Sequence, residues 1–290
     1  MPPVVRRQVP VPAKKTTTRK GSILDRPMED PFGINNPFIS LSLYGSSGTG
    51  KTTLWSSFPG PILVILCSGG KIPGELKSVA VADRAKIKKV YTIEEPQDIL
   101  EIADMQQNTG TYATTIMDHS TDLQGMVLAQ ILGLKKAPPQ LSWGLATREQ
   151  WGQVSLQTRE YLERILDLNN CNRVIVSQQR EDEPSSDSDI ALPTIGPALT
   201  PRTAGWLNPA CDYICQTFLQ GKTEVRKTVM KNGKTSETTI KVKGVNYCLR
   251  TGPNDLYTTK FRVPKGTYLP DYIVDPSYDK ILALIKGKKI

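Results

Sequence analysis

Eight consecutive residues, Gly45-Ser46-Ser47-Gly48-Thr49-Gly50-Lys51-Thr52, match the spacing G-x-x-x-x-G-K-[ST] directly after an apolar stretch at 38–44. The spacing has a physical reason. Glycines let the backbone turn so tightly that successive N–H groups point inward and form a concave anion cradle, and a helix beginning at Lys51 adds the positive end of its dipole. In such a P-loop, Lys51 reaches the β- and γ-phosphates and the Thr52 hydroxyl is offered to Mg²⁺. The expected nucleotide-binding residues are Gly45, Ser46, Ser47, Gly48, Thr49, Gly50, Lys51, Thr52 and Thr53.

The rest of the chain fits around this loop as alternating strands and helices. The run 61–67 (PILVILC) is apolar throughout and bounded by glycines, as expected of a strand buried on both faces of a parallel sheet. Further strands are predicted at 89–92, 112–117 and 173–177, and helices at 51–57, 96–107, 121–134 and 148–168. Alternation of this kind means βαβ units with right-handed crossovers, hence an α/β fold with a mostly parallel central sheet flanked by helices. At 290 residues and 38% hydrophobic, the chain can bury one large core or two modest ones, and one main domain with appendages is the expectation.

Asp118 ends the apolar strand Ala113-Thr114-Thr115-Ile116-Met117, at the edge where ligands bind in open α/β sheets. With Thr52 it is the expected Mg²⁺-holding pair. The neighbouring His119 is the only histidine, and without partner ligands it is expected to make local hydrogen bonds. Five cysteines (67, 171, 211, 215 and 248) lack metal or disulfide spacing and are expected as reduced core residues. No run of about 18 apolar residues occurs, and none follows the basic residues at the N-terminus, so neither a membrane span nor a secretory signal is expected. The expected location is the cytoplasm.

The net charge of +9 is unevenly spread. Residues 1–24 carry +6 and residues 222–243 carry +5, leaving −2 for everything else. Two basic peripheral segments on a near-neutral body suit contact with a polyanion, although charge runs also serve as solvated faces. With Pro2, Pro3, Pro10 and Pro12, residues 1–30 read as a basic arm without fixed structure. In the second segment, strand-like runs at 223–230 and 235–242 flank Lys231-Asn232-Gly233-Lys234, and Asn-Gly is the strongest short hairpin signal because both central residues accept positive φ. Arg226, Lys227, Lys231, Lys234, Lys241 and Lys243 would line this hairpin, either meeting the phosphates of single-stranded DNA or keeping the ribbon soluble. Tyr247, Tyr257 and Phe261 are candidates for stacking on bases, with burial the stronger expectation.

Taken together, the P-loop, the IMDHS strand end, the RVIVSQQ strand, the segments at 196–199 and 209–213, and the final stretches at 249–253 and 259–262 resemble the phage-encoded RecA-like ATPases, including single-strand annealing proteins with a RecA-type core. The resemblance spans 38 to about 270. It implies a RecA-like sheet, ATP with Mg²⁺ bound between subunits of a ring or filament, and work on single-stranded DNA in recombination or replication, alone or with a single-strand binding protein. The core is then expected at 31–221, the basic hairpin at 222–244, and strands and a helix completing the core at 245–290.

The resemblance also assigns roles. A glutamine after the RVIVS strand, Gln178 or Gln179, fits the place of the γ-phosphate sensor, and an amide suits it because it bonds phosphate or water without changing charge. The loop after it, 180–206, carries Glu181, Asp182, Glu183, Asp187 and Asp189, so it is expected as a lid or subunit contact and not as a DNA-binding loop. Lys260 and Arg262 resemble the K-x-R pair that reaches a neighbour's γ-phosphate, against the plainer expectation of an exposed strand. One departure stands out. Relatives carry a glutamate where this chain reads Cys67-Ser68-Gly69-Gly70, so the water-activating carboxylate must come from Glu75, or from Glu94 or Glu95, or be absent. Absence leaves a nucleotide-gated DNA-binding or helicase-loading module, with a packaging motor a remoter alternative.

Overall fold

Six residues, Ser40–Gly45, form strand β1, and all six are buried, the polar Ser40 and Ser42 included, as in a central strand covered on both faces. In the computed structural model, residues 38–68, 74–135, 146–182, 194–229 and 235–290 are described, with the backbone alone at 75, 223–229 and 235–241. β1 pairs in parallel with β5 (Asn172–Asp182) on one side and β7 (Tyr213–Val229) on the other. Beyond β5 lie β4 (Thr114–Asp118), β2 (Ile62–Leu66) and β3 (Ile87–Thr92), all parallel. Beyond β7 lie β8 (Thr235–Arg250) and β10 (Tyr272–Val274), both antiparallel to their neighbours. The order is β10-β8-β7-β1-β5-β4-β2-β3, with the short β6 (Thr194–Pro197) on β5 and β9 (Lys260–Phe261) on β7. The expected mostly parallel α/β sheet is the one observed. Its topology matters for the site because β5 slots between the P-loop strand and the Asp118 strand.

Side chains alternate across these strands, so the sheet presents two apolar faces. Leu41 and Leu43 of β1, Val64 and Leu66 of β2, Ile116 of β4 and Val176 of β5 pack with α1 (Lys51–Ser56) and α7 (Tyr278–Ile285). Tyr44, Ile65, Met117 and Ile175 face the other way, onto α3 (Asp98–Thr109), α4 (Ser120–Ile131), α5 (Arg148–Leu166) and α6 (Pro201–Ala210). Each fully buried aliphatic side chain on these faces contributes about 1.5–3 kcal/mol. The single turn α2 (Val81–Arg84) precedes β3. Thr147 and Gln150 close a reciprocal capping box at the start of α5, and α7 is tied to the end of α1 by Tyr278 N–H donating to Ser57 Oγ at 2.8 Å.

Two expectations change in detail. The stretch 180–206 is not one loop: β5 continues to Asp182, β6 follows, and α6 starts with Pro201 in its first turn, where a missing N–H costs nothing. Gly205 and Pro209 inside that helix concealed its pattern. The hairpin at 222–244 is the outer half of two long core strands. β7 and β8 pair from Gln216–Arg250 out to Val229–Thr235, whereas β1 accompanies β7 only as far as Thr217. The outer strands therefore run past the sheet as a ribbon, and because β7 parallels β1, the ribbon leaves from the P-loop end. The arm at 1–30, the turn at 231–234 and Glu183, Asp187 and Asp189 lie outside the described residues. Among the described residues, no helix is long and apolar enough to cross a membrane.

Candidate functional site

The loop between β1 and α1 is tight for two local reasons. A β-carbon on Gly45 would sit 2.5 Å from the Thr217 carbonyl, and one on Gly50 would meet the Tyr247 ring at 2.9 Å. Gly50 also has φ +92°, a left-handed conformation that side chains resist. Inside the loop, Thr49 Oγ1 donates to or accepts from Thr217 Oγ1 at 2.7 Å, fastening the cradle to β7. Lys51 Nζ donates to the carbonyls of Gly45 and Ser46, both at 2.8 Å, so the ammonium is held over the loop's own backbone.

Around this loop lies a cavity of about 350 Å³ lined by Ser47, Gly48, Gly50, Lys51, Thr52 and Thr53, and by Asp118, His119, Gln178, Ser78 and Tyr247 from elsewhere in the chain. Strand register explains the convergence. Gln178 pairs with Gly45, and Asp118 ends the strand on the other side of β5, so both side chains emerge on the α1 face at the same edge. Asp118 is buried, at 6% exposure, and its Oδ2 accepts the indole N–H of Trp55 at 3.1 Å. His119 has the local role expected: its Nδ1 accepts the Asp122 N–H at 3.2 Å and caps α4, with Nε2 3.2 Å from Asp122 Oδ2. A hydroxyl at Thr52 and a carboxylate at Asp118 in one cavity are hard oxygen donors, the set that fits Mg²⁺.

Alternation also separates the two glutamines. Gln178 lines the cavity, with its N–H donating to Thr121 Oγ1 at 3.1 Å, while Gln179 turns to the opposite face and accepts from Gln216 Nε2 at 2.8 Å. Gln216 in turn accepts from Arg250, whose guanidinium lies over Phe218 and Tyr257. Cys67, at the end of β2, is buried, and burial together with the nearby Asp118 and Asp122 carboxylates pushes its thiol well up, so it is inert. All five cysteines are free and buried, as expected. Glu75 belongs to the 3₁₀ turn Gly74–Ser78, whose last residue lines the cavity; its side chain lies outside the described residues. Glu94 and Glu95 are exposed beyond β3, their N–H groups donating to Asp98.

Within one chain, Lys260 and Arg262 are not brought to this cavity. Lys260 pairs with Ile214, which pairs with Ser42, three residues before Gly45 and thus about 10 Å down the strand. Its ammonium caps the end of α6, donating to the carbonyls of Asn208 (3.1 Å), Pro209 (3.1 Å) and Cys211 (2.5 Å), and Arg262 donates to Asp212 at 2.6 Å.

Two cavity-side residues escaped sequence reading. Trp55 lies in no motif, and Tyr247, for which burial is the stronger expectation, is 45% exposed and packs on Gly50; each meets the site only through an element distant in sequence. The Asn-Gly turn announced a hairpin, yet nothing in it said that β8 would run back to the P-loop.

A family model described as an AAA domain, AAA_24, matches residues 38–263. Among solved structures, the crystal structure of the RadB recombinase is similar to this chain at 16% identity, covering 74% of this chain and 89% of that one, with a TM-score of 0.38. No curated protein matches the chain.

Proposed function

The chain belongs to the AAA domain family AAA_24, and from that premise we propose that it is an ATP- and Mg²⁺-binding, RecA-like protein that acts on single-stranded DNA as a homo-oligomer, promoting annealing or strand pairing. One observation carries this reading: the P-loop, Asp118 and Gln178, from three separate strands, line a single cavity. The loop N–H groups and Lys51 would hold the phosphates, Thr52 and Asp118 would hold Mg²⁺, and Gln178 would meet the γ-phosphate or the water that attacks it. When bound, the cation neutralises charge on the β- and γ-oxygens. Tyr247 offers a ring at the cavity wall.

DNA is assigned to the ribbon formed by β7 and β8, whose sequence concentrates the basic residues. Charge reversal at Lys231 and Lys234 should weaken oligonucleotide binding and reduce its salt slope by about one for each phosphate no longer neutralised. Unchanged affinity and slope would remove the ribbon from the DNA site. Lys260 and Arg262 are proposed to serve a γ-phosphate only from a neighbouring subunit, since their own cavity is out of reach.

The second reading, a nucleotide-gated binding module with little turnover, is favoured by one specific feature: Ser68 stands where a carboxylate is needed. Steady-state hydrolysis with and without single-stranded DNA separates the two. Turnover stimulated by DNA and abolished in Lys51→Ala supports the enzyme. Nucleotide-dependent DNA binding without turnover supports the module.

A further inference from the structure

We infer that Trp55 is a positioning residue for the divalent cation, a role that rests on the proposed Mg²⁺–ATP site. Its indole is fully buried, and Nε1 donates to Asp118 Oδ2 at 3.1 Å. An indole N–H is a donor with no acceptor capacity, so the direction of this bond is unambiguous. The partner is a carboxylate at 6% exposure, which must be hydrogen-bonded to stay charged so far from water.

What makes the contact more than a buried pair is where Trp55 starts from. Thr52 and Trp55 are three residues apart on α1 and therefore share one side of that helix. One rigid turn thus supplies the hydroxyl ligand directly and holds the carboxylate ligand through the indole, although the carboxylate arrives on β4, 66 residues along the chain from Thr52. The indole restrains the Asp118 carboxylate on the side of α1 that carries Thr52, so that both oxygen donors would be held in place for the cation. Such partners of metal ligands are worth about 10–100-fold in metal affinity. Trp55 also packs in the core with Leu54 and Phe58, which anchors the indole against reorientation.

The test is Trp55→Phe, which keeps an aromatic ring and removes the N–H. Nucleotide binding is followed by calorimetry across a Mg²⁺ titration and in excess EDTA. The Mg²⁺ concentration for half-maximal binding should rise about 10–100-fold, while affinity in EDTA stays that of the unaltered chain. A merely structural tryptophan would lower thermal stability and leave the Mg²⁺ requirement where it was, and that result overturns the inference. Should the variant fold poorly, ¹⁵N labelling of the intact tryptophan decides: the Trp55 indole N–H resonance must shift in Asp118→Asn and on addition of Mg²⁺ with ATP, with Trp151 and Trp206 as unmoved references. Indifference of that resonance to Asp118→Asn also overturns it. If nucleotide binding by the unaltered chain shows no Mg²⁺ dependence at all, the proposed cation site falls together with this inference.

Discussion

Lys51 and Lys260 make the same kind of contact in two different corners of the molecule. Each ammonium donates to backbone carbonyls, Lys51 to two in the P-loop and Lys260 to three at the end of α6. Only the surroundings tell them apart. The carbonyls at Lys51 belong to a loop that borders a cavity shared with Thr52, Asp118 and Gln178, where an arriving anion can exchange for them. Those at Lys260 close a helix end, where partial burial lowers the lysine's pKa and the neighbouring Asp212 is already paired with Arg262. Under the proposed function, a lysine on carbonyls is therefore a binding group in one corner and a cap in the other, and the cavity decides.

This contrast can be broken by substitution. Lys51→Ala should weaken ATP binding by about 100-fold, the cost of losing a charged donor to phosphate, with little change in thermal midpoint; equal affinity in the variant would erase the distinction. Gly50→Ala should come next, losing about 1–2 kcal/mol of stability to the positive φ and the Tyr247 contact, and lowering nucleotide affinity with it. Tyr247→Ala in that background should recover part of the loss, which chemical denaturation would detect. Lys260→Ala should do the reverse of Lys51→Ala, removing about 1–3 kcal/mol of stability by leaving the α6 carbonyls short of a donor while ATP affinity holds. Arg262→Ala should have the smallest effect on folding, up to about 1 kcal/mol, because the pair with Asp212 is largely exposed. A fall in turnover without any fall in ATP affinity in Arg262→Ala would sharpen the contrast differently, by giving this corner a role in a neighbouring subunit's site.

How far these roles could be read from sequence follows from how local their causes are. The P-loop was legible because a backbone that must fold into a cradle dictates glycines at fixed spacing, and Gly50 is held to glycine by its φ and by Tyr247. Asp118 was legible as a polar residue ending an apolar strand. The choice between Gln178 and Gln179 was not, since it depends on which face of β5 meets α1. Lys260 resembled a finger because K-x-R is a local pattern, whereas its three carbonyl partners lie 49–52 residues away. Tyr247 and Trp55 joined the site only through strand pairing and helix packing, which no short window contains.

The binding of ATP to the unaltered chain, followed by titration calorimetry with Mg²⁺ and again with excess EDTA, tests the shared cavity most directly. The expected result is one saturable site per chain whose affinity falls when Mg²⁺ is withdrawn, because Thr52 and Asp118 then have no cation to hold. Absence of binding heat under both conditions, or equal affinity in both, would contradict the assignment of these strands' ends to a single nucleotide and metal site.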